Sequence, residues 1–118
     1  MTAHLEKARD LGNSLGGTAE YGAVRRAIQA ADEDPDLVTM RTEVEKLEGA
    51  IQESLRTGKE PDTETSTAYE SAVGRLQANA SYQRLVAAQA NFDKLMARVN
   101  QAIARGMEEG EQRRIILA

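Results

Sequence analysis

Apolar side chains recur along this chain at intervals of three and four, with polar residues filling the spaces between them. That is the period of an α-helix with one buried face. Leu5, Ala8, Gly12 and Leu15 set the stripe of a first helix over 2–15, and Gly16-Gly17 ends it. Thr18 is placed to cap a second helix over 18–31, with Tyr21, Val24 and Ile28 on its apolar side. Asp34-Pro35 is a start signal, a capping carboxylate followed by a proline whose missing amide the first turn does not need. The third helix then runs to Arg56. Leu37, Met40, Val44, Leu47, Ile51 and Leu55 form the seam expected of an antiparallel helix pair.

Thr57-Gly58-Lys59-Glu60-Pro61 reads as a compact reversal. A fourth helix follows over 62–79, with Ala68, Tyr69, Ala72, Val73 and Leu76 as its inner side. Asn79-Ala80-Ser81 reads as a break, Ser81 capping a fifth helix that extends to about residue 109. Two apolar rows run along this last helix. One is Leu85, Ala88, Phe92, Leu95, Val99 and Ala102; the other is Tyr82, Val86, Met96, Ile103 and Met107. A face that wide can touch two neighbours, so the fifth helix is expected at the centre of the fold. The alternation that strands require is absent.

The expected fold class is therefore all-α, with about five helices organised around a long antiparallel helical hairpin. Residues 1–109 are expected to form one helical domain and 110–118 a short tail. In the tail, Arg113 and Arg114 precede Ile115, Ile116 and Leu117. That greasy end is either a docking peptide or a last turn tucked onto the fold, and the tuck is the favoured reading. An open hairpin bundle buries little, so a second copy is expected against the long helices, giving a dimeric bundle. Leu47, Ile51, Phe92, Leu95, Met96 and Val99 are the candidates for that self-association.

Composition narrows the function. At 118 residues, 41% hydrophobic and 29% charged, the chain suits one globular domain. Its apolar runs are too short for a membrane span or a secretory leader, which points to the cytoplasm. It has no cysteine, so disulfides and thiolate metal sites are excluded. His4 alone makes neither a metal site nor a catalytic dyad. The acidic pairs Glu43/Glu45 and Glu108/Glu109 have no base coupled to them and read as solvated helix faces. Gly16-Gly17-Thr18 lacks the strand and the lysine of a phosphate-binding loop. Arg25-Arg26 and Arg113-Arg114 are a small basic footprint on a chain of net charge −4, and four aromatic side chains without tryptophan offer no stacking platform. No catalytic, cofactor or metal site is expected, and no membrane or nucleic-acid partner. Protein contact is the remaining mode of action.

The order of these segments resembles the YlbF/YmcA family of small bacterial regulators, in its cysteine-free, YheA-like branch. The resemblance begins at KARDLGNSLGGTAEY, a short helix followed by an acidic-aromatic entry. It continues through AIQAADEDPDLVTMRTEVEKLEGAIQESLRTGKEP and closes with LQANASYQRLVAAQANFDKLMARVNQAI. In the last segment Leu76, Gln77, Asn79, Tyr82, Ala88, Phe92, Leu95, Val99, Asn100 and Ile103 carry the likeness, which covers about residues 5–105. The resemblance implies a self-associating helical regulator that acts in the control of competence, biofilm formation and sporulation. It also implies an alternative, an accessory subunit of an endoribonuclease Y complex that processes RNA; the C-terminal tail itself suggests another, a structural or cargo protein addressed by that tail. Some members bind iron–sulfur clusters through cysteines, and a chain without cysteine does not inherit that cofactor.

Overall fold

The computed structural model describes residues 2–117, with side chains as far as Ile116. Five helices follow in order: α1 (Ala3–Gly16), α2 (Ala19–Asp32), α3 (Pro35–Arg56), α4 (Thr63–Ala78) and α5 (Ala80–Leu117). Among the described residues there is no strand. The all-α expectation holds, and α3 has the bounds that Asp34-Pro35 and the Gly58 reversal predict. No helix of the described residues is long and apolar enough to cross a membrane.

The helix ends follow from local hydrogen bonding. Thr18 Oγ1 accepts the Tyr21 amide at 3.2 Å and donates to the Leu15 carbonyl at 2.6 Å, closing α1 and opening α2. Asp34 Oδ1 accepts the Asp36 and Leu37 amides at 3.0 and 3.2 Å. Asp62 Oδ1 accepts the Thr65 amide at 2.7 Å. Each satisfies donors that the first helical turn leaves without partners. Gly58 adopts φ +77°, a left-handed conformation that glycine enters without a steric penalty, and it turns the chain out of α3.

Two boundaries differ from the sequence expectation. Asn79, and not Ser81, caps α5: its Oδ1 accepts the Tyr82 amide at 2.9 Å, so the helix begins at Ala80. Ser81 instead helps to hold the Asp34 carboxylate below its ordinary pKa. At the other end, α5 continues through Gly110 to Leu117 rather than stopping near residue 109. A glycine inside a helix costs only about 1 kcal/mol relative to alanine, too little to end a helix by itself.

The chain divides into two compact units. One comprises residues 25–87: the rest of α2, all of α3 and α4, and the start of α5. Here α3 packs on α4 as an antiparallel pair. Three bonds step along the pair in opposite directions: Tyr69 to Glu48 at 3.1 Å, Arg75 to Glu43 at 3.0 Å, and Asn79 to Asp34 at 3.3 Å. Leu37 is fully enclosed, and Ala27, Ala31, Val44 and Ala72 are buried. On α2 the buried row is therefore Val24, Ala27 and Ala31. Ile28, expected on the inner side, stays 38% exposed.

The other unit comprises residues 1–24 and 88–118, hence α1, the first turns of α2 and the greater part of α5. Val24 and Ala88 are its buried side chains among the described residues. The Tyr21 and Phe92 rings meet here, with centroids 5.8 Å apart and planes tilted by 60°. From Asn100 to Ile116 every residue of α5 is exposed. The wide face of α5 is thus not enclosed beyond Val99, contrary to the central position its two rows suggested.

The capping carboxylates make stability depend on pH. Asp34 is held below the ordinary aspartate range, first by the Leu37 amide and then by the Asn79 side chain. Asp62 is lowered by the Thr65 hydroxyl and amide. A lowered folded-state pKa stabilises the fold above the unfolded value, and the gain fades as pH falls through the folded value. Thermal melts should therefore be flat near neutrality and decline below about pH 4. The double variant Asp34→Asn, Asp62→Asn should show a shallower acid slope. An unchanged slope would remove these caps as its source.

Candidate functional site

Polar chemistry is spread over this surface and is not gathered at one point. Among the described residues no cluster of three His, Cys, Asp or Glu side chains could hold a metal ion, and none of the buried residues is polar. His4 is exposed, as are Glu45, Glu108 and Glu109, while Glu43 is half-buried in its bond to Arg75. Gly16-Gly17-Thr18 is helix punctuation, as the Thr18 bonds show. Arg25 and Arg26 line a shallow groove together with Asp32 and Glu33, so acid offsets base there.

The self-association candidates fall into both units, and all six are half-buried. Leu47 and Ile51 lie on α3 in the 25–87 unit, where Ile51 shares an open groove with Glu48, Gln52 and Tyr69. Phe92, Leu95, Met96 and Val99 lie on α5 in the other unit. Phe92 is engaged by Tyr21, and Leu95 edges a groove lined also by Glu20, Asn91, Lys94 and Arg98. Arg113 and Arg114 are exposed, and Ile115 and Ile116 are 68% and 82% exposed. The last turn is not tucked down, which corrects the favoured reading of the tail. The side chain of Leu117 lies outside what is described.

Beyond Ile115 and Ile116, sequence reasoning did not name the most exposed apolar positions on the helices as partner candidates. Leu5 is 62% exposed, Leu55 63% and Met107 66%, with Ile103 and Val38 close to half. Leu5, Ile103 and Met107 stood in the apolar rows already. Their spacing marks a face without saying what covers it. A large apolar side chain left in water is the signature of a surface awaiting a partner when several lie along one element.

A family model described as control of competence regulator ComK, YlbF/YmcA, matches residues 4–108. A UPF0342 protein of Leuconostoc mesenteroides subsp. mesenteroides is 21% identical over 110 residues, covering 92% of this chain and 94% of the relative. No solved structure gives a significant match. With the family model matching nearly the whole helical region, the chain belongs to the YlbF/YmcA family, a family concerned with control of a competence regulator.

Proposed function

We propose that this chain is a cytoplasmic regulatory adaptor that works through protein–protein contact, without a reaction of its own, and that it does so as a homodimer. One observation supports the reading above the others. Two separate compact bodies with the sizes of the two units would together leave about 7600 Å² accessible to solvent. The chain leaves 9155 Å². Leucine, isoleucine and methionine side chains stand exposed on α1, α3 and α5. Covering that surface is the free-energy source for association.

The membership in a family of regulators fits this mode of action. On this reading residues 1–109 supply the dimerising body. The tail, described as helix as far as Leu117, is a partner-facing end, with Arg113, Arg114, Ile115 and Ile116 available to a different protein.

Sedimentation equilibrium at micromolar concentration tests the proposal. The expected mass is about twice the 12.9 kDa of one chain. A single-chain mass that persists across the concentration range would overturn it.

A further inference from the structure

Self-association leaves open which surface the second copy covers. We infer that it seats on the unit made of α1, the first turns of α2 and α5 from Ala88 onward, and not on the seam of α3. The inference rests on the homodimer reading and adds the surface to it.

The first ground is α1. None of its 14 residues is buried, and Leu5 and Leu11 are 62% and 37% exposed. A helix of that length is marginal in water and depends on burying its apolar stripe. The second ground is α5. Met96, Val99, Ile103 and Met107 follow one another at spacings of three and four, so they share a face. The first two are half-buried, whereas Ile103 is 46% and Met107 66% exposed. The apolar row outruns the cover its own chain provides.

Charge selects the occupant. This unit holds seven Lys and Arg against seven Asp and Glu, a formal balance of zero. The 25–87 unit holds eight against twelve and carries the entire −4 of the chain. Two copies meeting through α3 would bring −4 against −4. Two copies meeting through α1 and α5 bring no net charge together, and like charges at an interface oppose pairing.

Two copies meeting through this unit present the same patch to each other, the isologous arrangement of a two-fold dimer.

The chain has no cysteine, so a single introduced one reports one position. Leu5→Cys, Met107→Cys and, as the comparison, Leu55→Cys are labelled with a maleimide at concentrations where the protein is associated and where it is dilute. Leu55 is 63% exposed on α3. The expected result is labelling slowed at least about tenfold by association at positions 5 and 107, and unchanged at 55. A companion variant, Ile103→Asp, should sediment as one chain while its helical circular dichroism is retained. Protection at position 55 alone, or at none of the three, in a protein that still sediments as a dimer overturns the surface and leaves self-association standing. A wild-type chain that never associates overturns both.

Discussion

Replacing Leu37 by alanine should lower the stability of the fold by about 2–5 kcal/mol, the range for deleting a fully enclosed leucine. Leu37 is 0% exposed and is the one large side chain so completely enclosed among the described residues. It sits in the first turn of α3, where its own amide is fixed by the Asp34 carboxylate at 3.2 Å. The backbone there is pinned, so the site cannot collapse easily around the lost carbons. A small domain holds only about 5–15 kcal/mol in total, which makes this loss a large share. Urea unfolding at one fixed protomer concentration measures it, because association adds a concentration-dependent contribution. Leu55→Ala, at a position 63% exposed, should change stability by less than about 0.5 kcal/mol. Equal effects at the two positions would show that Leu37 is not the anchor described.

The second large effect is expected in the opposite direction of size. Ala72 is 1% exposed on α4, the helix that packs on α3. Helices approach closely where a side chain is small, and a larger one must push the axes apart or leave its preferred rotamer. Ala72→Leu should therefore destabilise by about 1–3 kcal/mol despite adding apolar carbon. The same exchange at Ala104, exposed on α5, should be nearly neutral. Thermal melting of the two variants side by side decides the matter. A melting temperature raised by Ala72→Leu would mean that space exists between α3 and α4.

Much of the architecture is legible from short-range chemistry. Asp34-Pro35 and Gly58 set both ends of α3 because each acts within one turn of itself. Gly16-Gly17-Thr18 separates α1 from α2 for the same reason. At the start of α5 the sequence offers two acceptors, Asn79 and Ser81, and the one that caps the helix also holds a contact 45 residues away, to Asp34. No local pattern contains that information. Gly110 misled because helix propensity is a small local preference that the residues on either side can outweigh.

The candidate surface was half legible. Periodicity placed Leu5, Ile103 and Met107 on apolar faces, as it placed Leu37 and Val44. Leu37 and Val44 are covered by the chain itself; Leu5, Ile103 and Met107 are not. A stripe of leucines has the same spacing whether its cover comes from the same molecule or another. The distinction appears only when each residue's remaining exposure is known.

The bond between Asp34 and Asn79 ties together two residues that each also cap a helix, α3 and α5. Positions 34 and 79 are consequently coupled in any mutational path. Once either side chain is lost, part of what the other contributed is already gone, so the second change is cheaper than it would be alone. Tolerated exchanges at one position should depend on which residue occupies the other, and the helix junction accepts change as a pair.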